Sequence, residues 1–268
     1  MAKVEAVSFV NPKRVPQMAE AETVLERIQR RPGCEIAGPP SMRGVERAIA
    51  AGVDEIRFAI MASETFNRRN QGVGIDDNIA LFEAGAAKAR AAGIRVAAAV
   101  GVAFGCPFEG EIPLQRVIGI GKRLAEAGAD HLFLADTIGC AVPSQVRERF
   151  VALRDAVGER VPLGAHFHNT RNTGFANAYA ALEAGVTEFD ASVGGIGGCP
   201  FAPRATGNIA SEDLLYLLRN MGYHTQVDLP ALLGVAEWLQ GFFEAPLPGQ
   251  VMKAGLFPDI VRGQPASA

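Results

Sequence analysis

The chain has 268 residues, 49% hydrophobic and 21% charged, with a formal net charge of −3. That length can bury one large core, and the slightly acidic balance, with no basic block, argues against nucleic acid or an anionic membrane as partner. The longest apolar run, 96–104, is too short to span a bilayer, and no apolar leader follows Met1. The four cysteines, Cys34, Cys106, Cys140 and Cys199, form no CxxC pair, so reduced thiols in a cytoplasmic protein are the expectation.

Taken in chain order, short β-rich runs alternate with alanine-rich helical patterns. The strand candidates are 4–10, 34–37, 55–60, 95–102, 131–135, 163–168 and 188–193. Helical patterns lie near 20–30, 43–51, 76–92, 114–127, 144–157, 172–184 and 211–219. Gly52, Gly93, Gly128 and Gly185 each follow a helical run and precede a strand, as a left-handed C-terminal cap does. Repeated βα units require a parallel sheet, and at this length they predict an α/β fold of the TIM (β/α)8-barrel type. Seven strands instead of eight suggest a barrel missing its first β/α unit. A single domain over 1–268 is expected, with a C-terminal helical extension at 229–268, where 229–243 is amphipathic. That extension packs either on the barrel or in an oligomer contact, and it leaves a homodimer open.

His166 and His168 end one strand candidate. Residues i and i+2 of a strand share a face, so two imidazoles emerge together as half of a divalent-metal site. The alternative is a buried structural pair. Barrel enzymes place reactive groups at the C-terminal ends of strands. Asp136 and Thr137 end another candidate strand, Glu5 lies in the first, and Asn208 closes a glycine-rich stretch holding Gly197, Gly198 and Gly207. Two imidazoles, an amide oxygen and water suit Mg²⁺ or Mn²⁺, whereas tetrahedral zinc would recruit the Cys199 thiolate. Singly these residues have other readings: Asp136 as a helix cap, Asn208 as a turn residue and the glycines as turn formers.

Several stretches carry a family resemblance. They are Val4-Glu5-Ala6-Val7-Ser8-Phe9-Val10-Asn11-Pro12-Lys13-Arg14-Val15-Pro16-Gln17-Met18, Ala62-Ser63-Glu64, Phe104-Gly105-Cys106-Pro107-Phe108-Glu109-Gly110, Ala135-Asp136-Thr137-Ile138-Gly139, the histidine pair, and Gly197-Gly198-Cys199-Pro200-Phe201-Ala202 with Ala205-Thr206-Gly207-Asn208. In these the chain resembles the 3-hydroxy-3-methylglutaryl-CoA lyase family of the DRE-TIM metallolyases. The resemblance implies a retro-Claisen cleavage of a 3-hydroxyacyl-CoA to acetyl-CoA and a keto acid. It implies His166, His168 and Asn208 as ligands of Mg²⁺ or Mn²⁺, and Cys199 on a loop that closes over the acyl-CoA. Asp136 and Glu5 would line the site, and Cys199 or His166 would protonate the departing enolate. The alternatives are a related aldolase or synthase, or an inactive member that only binds acyl-CoA.

The family's first strand carries an Arg-Asp pair, its aspartate a metal ligand and its arginine an enolate stabiliser. The resemblance begins after that strand, so a barrel with an open seam is expected, and loss of one such electrostatic donor costs ~10²–10³ in rate. Either a longer natural chain is the enzyme, or this is a truncated product of low activity. Asn169, Arg171 and Arg204 also depart from the family pattern. Arg204 would reach a carboxylate or phosphate, or stand solvated in its loop. These departures leave a different 3-hydroxyacyl-CoA open, such as citramalyl-CoA or a longer-branched glutaryl-CoA.

Overall fold

A computed structural model describes residues 3–13, 15–31, 35–38, 44–198 and 206–257. Its seven strands are β1 (Lys3–Glu5), β2 (Glu35–Gly38), β3 (Glu55–Met61), β4 (Arg95–Gly101), β5 (His131–Asp136), β6 (Leu163–Phe167) and β7 (Glu188–Asp190). All pair in parallel and in sequence order. The central strands β3, β4 and β5 are buried on both faces, because helices cover the outside while the inside is closed by the sheet itself. The helices are α1 (Ala21–Arg27), α2 (Val45–Ala50), α3 (Glu64–Gln71), α4 (Ile75–Ala91), α5 (Leu114–Glu126), α6 (Pro143–Val157), α7 (Gly174–Glu183), α8 (Ser211–Asn220), α9 (Leu229–Gln240) and α10 (Val251–Ala254). The four glycine stops all adopt positive φ, between 67° and 92°.

Contacts across the sheet show that it curls. Arg57 on β3 reaches Asp190 on β7 at 2.6 Å, and Lys3 on β1 approaches Glu188 on β7 to 3.7 Å. A flat sheet would hold strands four or six places apart roughly 20–30 Å from each other. The fold is therefore the TIM-barrel-like α/β architecture expected, and among the described residues no backbone ladder joins β7 to β1. No helix among the described residues is long and apolar enough to cross a membrane.

Two strands are shorter than their sequence patterns. β1 ends at Glu5, and the apolar residues after it leave the sheet to plug the barrel wall, with Phe9 fully buried. Only glycine fits beside that plug, since a Cβ on Gly44 would lie 2.0 Å from the Phe9 carbonyl oxygen. β7 ends at Asp190, beyond which Ser192 bridges to Ala210. Helix α3 has no counterpart in the sequence reading. Its segment is strongly polar and buries only Phe66 and Asn67, so periodicity is silent, although Ser63 caps it by accepting the Phe66 N–H at 3.1 Å.

The C-terminal extension packs on the barrel. Gly249 N–H donates to the Gly194 carbonyl at 3.1 Å, and the Gln250 and Val251 N–H groups donate to the Asp213 carboxylate. Trp238, Phe242 and Phe243 in this extension remain exposed.

Candidate active site at the barrel mouth

Alternation along β6 turns His166 into the barrel, and His168, just past the strand end, follows on the same face. Their ring centroids lie 5.2 Å apart. His168 is 4% exposed, and its Nδ1 lies 3.2 Å from the Thr206 carbonyl oxygen. An Nδ1–H donated there leaves the Nε2 lone pair free for a ligand. Burial, reinforced by neighbouring His166, pushes the His168 pKa down to about 4, so the ring is neutral at neutral pH. His166 is more open, and its Nδ1 faces Asp190 Oδ2 at 3.7 Å.

Asn208 joins them by backbone pairing. Asn169 N–H donates to the Gly207 carbonyl and Ile209 N–H to the Phe167 carbonyl, which lays 207–209 antiparallel against the end of β6. The Asn208 amide nitrogen donates to the Ile196 carbonyl at 3.0 Å, while its Oδ1 is buried without a hydrogen-bond partner. A buried acceptor left unpaired is costly unless a ligand meets it. Two imidazoles and an unpaired amide oxygen fit a divalent cation that completes its shell with oxygen ligands. Among the described residues no cluster of three or more His, Cys, Asp or Glu side chains forms a metal cage.

Glu5 lies in the layer beneath. Glu5, Arg57, Phe133 and Asp190 come from β1, β3, β5 and β7, the alternate-strand pattern of an interior barrel layer. Glu5 is reached by solvent, yet it feels the charges of Asp190, Arg57, His166 and Glu55, and desolvation pushes its carboxyl pKa upward. Asp190 is held at about 2: Arg57 beside it, with His166, overrides the opposing effect of burial.

Asp136 is not brought to the histidines. Ala135 pairs with His166 and shares its face, so Asp136 turns away from the barrel interior. It is 1% exposed and accepts the Cys140 and Ala141 N–H groups, both at 2.9 Å, which shapes the loop after β5. It does not cap the next helix, whose N-cap is Val142. Cys199 and Arg204 lie outside the described residues. Asn169 and Arg171 are engaged locally: Asn169 accepts the Gly174 N–H, and Arg171 donates to the Ile138 and Gly139 carbonyls.

Arg57 and Asp190 escaped the sequence reading. The available signal was a pair of charges at i and i+2 inside otherwise apolar strands, Glu55 with Arg57 and Glu188 with Asp190. Charges that face a core must find partners there.

Fold and site together define a parallel barrel enzyme with a two-histidine, one-amide mouth. The HMGL-like family profile matches residues 2–239, and the chain belongs to that family. It is 42% identical to the (R)-citramalyl-CoA lyase of Chloroflexus aurantiacus, covering 98% of this chain and 86% of that protein. It is 37% identical to a hydroxymethylglutaryl-CoA lyase of Bacillus subtilis, covering 93% and 84% respectively. An HMG-CoA lyase from Acinetobacter baumannii, solved with coenzyme A and 3-methylmalate, superposes with a TM-score of 0.91 at 35% identity, over 97% of this chain and 85% of that one. The chain is thus a carbon–carbon lyase.

Proposed function

We propose that the chain cleaves 3-hydroxy-3-methylglutaryl-CoA or a similar 3-hydroxyacyl-CoA to acetyl-CoA and a keto acid, with Mg²⁺ or Mn²⁺ held by His166, His168 and Asn208. The observation that carries this reading is the unpaired, buried Oδ1 of Asn208 beside two imidazoles on one face. A bound divalent cation supplies Lewis acidity toward the substrate's 3-hydroxyl and carboxyl oxygens.

The chain's own residues handle the protons. Glu5, its carboxyl basicity raised by desolvation, takes up the 3-hydroxyl proton. The alkoxide electrons then form the keto group of one product as the C2–C3 bond breaks. The electron pair of that bond passes to the acetyl-CoA enolate, and Cys199 returns a proton to its carbon, the alternative donor His166 having its Nδ1 turned to Asp190. Asp136 acts through the loop it shapes, by fixing backbone at the mouth. A cytoplasmic location and a homodimer through the face bearing Trp238 and Phe242 complete this reading.

Citramalyl-CoA is the second substrate candidate, favoured by the 42% identity to a lyase named for it. Acetyl-CoA release from both thioesters, with Mn²⁺ and after chelation, is the test. Metal-dependent release from one of them supports the proposal. Release that survives chelation, or none from either thioester by folded, metal-loaded protein, sinks it.

A further inference from the structure

Beneath the histidine pair the barrel holds a guanidinium. The Arg57 side chain is 9% exposed, donates from Nη1 to Asp190 Oδ2 at 2.6 Å and from Nη2 to Glu55 Oε1 at 3.1 Å, and stacks 4.0 Å from the centroid of the Phe133 ring. Glu55 is itself fixed by Lys3 at 2.5 Å. Small neighbours make the span possible. Ala97 pairs with Arg57 on the adjacent strand, and Gly164 leaves room for Phe133, whose ring would lie 2.2 Å from a Cβ there. Arg57 thereby crosses the barrel from β3 to β7, and the same Asp190 oxygen that it holds faces His166 Nδ1 at 3.7 Å.

We propose that Arg57 and Asp190 form a brace across the barrel that orients the His166 imidazole, with Nδ1 toward Asp190 and Nε2 toward the mouth. They are positioning residues, and their importance to turnover rests on His166 being a metal ligand as proposed above. The geometry argues for arginine in particular. Its planar fork engages two carboxylates at once while its face lies on an aromatic ring, which a lysine ammonium cannot do. A carboxylate behind a ligating imidazole fixes tautomer and ring orientation, and loss of such a partner typically weakens metal binding by about 10–100-fold. An anchor on the opposite wall keeps that carboxylate in place independently of the mouth loops.

The chain has four histidines, so imidazole ¹⁵N spectra of the metal-free protein resolve them. The brace predicts that His166 is a single Nδ1–H tautomer in the parent and becomes mixed in R57M and in D190A, while His168, held by Thr206, is unchanged. Mn²⁺ affinity, read by electron paramagnetic resonance, is expected to fall about tenfold or more in both variants, with partial recovery in R57K. D190A retains the Arg57–Glu55 pair, so it decides alone if R57M does not fold. An unchanged His166 tautomer and Mn²⁺ affinity within about twofold of the parent would overturn the brace. A parent that binds no Mn²⁺ defeats the metal reading instead, and the tautomer spectra still decide the brace.

Discussion

Asn208 has an amide with two distinct ends. Its nitrogen is engaged by Ile196, whereas its oxygen is buried and unpaired. N208A removes the oxygen and one ordinary hydrogen bond, so stability should fall by only about 1 kcal/mol while Mn²⁺ affinity drops about tenfold or more. Calorimetric titration beside a urea melt separates the two effects. Glu212 offers a pH test on a group outside the proposed ligand set. It is fully enclosed, accepts the Gly194 N–H at 3.1 Å, and burial raises its carboxyl above the usual 4.5. A raised folded value means that the folded chain keeps a proton which the unfolded chain releases. The contribution of this group is therefore complete below the ordinary carboxyl value and is lost as pH rises through the folded one. E212Q stays neutral throughout, so the stability of the parent relative to E212Q should decline as pH rises above the ordinary carboxyl value of 4.5. A flat difference across urea melts in that range would contradict the raised value.

At the scale of elements, the wall beside β1 depends on a loop instead of a longer strand. Phe9 fills the space in front of Gly38 and Gly44, and the hypothetical Gly44 Cβ meets a backbone oxygen at 2.0 Å, which no rotamer change can relieve. G44A should cost about 2 kcal/mol or more, at the upper end of overpacking effects, and a thermal melt of the variant reads it directly. The strand pattern at 4–10 was visible in sequence because Val7 and Phe9 alternate with smaller residues. Alternation reports burial, and here burial is achieved against Gly38 at the end of β2 and Gly44 before α2, after the ladder has ended. Helix α3 shows the converse: its stabilisation comes from a cap and from Asn67, which donates to the Val73 and Gly74 carbonyls and accepts the Met61 N–H. A polar hydrogen-bonding core of that kind leaves no hydrophobic period to read.

Across the whole molecule, the C-terminal extension supports the turn that leads to the glycine-rich stretch. Leu247 and Pro248 lie against Gly194 and Gly195, and Asp213 anchors the start of α10 through two backbone N–H groups. D213A leaves those donors without their carboxylate, so faster proteolysis near residue 250 is expected, together with weaker Mn²⁺ binding if this turn helps place Asn208. Unaltered cleavage and unaltered affinity would show that the strap is independent of the site.

Local patterning determined a good deal: the βα order, the glycine stops, the two imidazoles on one face and the placement of Glu5 in the first strand all follow from periodicities of two and 3.6. Those features are short-range, and backbone geometry alone enforces them. What the tertiary structure decided depends on closure of the sheet. Only curling brings Arg57 within 2.6 Å of Asp190, 133 positions away. Only antiparallel pairing of 207–209 onto the end of β6 brings Asn208 beside His168. Asp136 stands next to Ala135 in sequence, yet one step along a strand reverses the side chain, so it serves the loop while its neighbour faces the barrel interior. Partnerships among charges inside a barrel are set by which strands oppose each other around the ring, and no window of sequence contains that information.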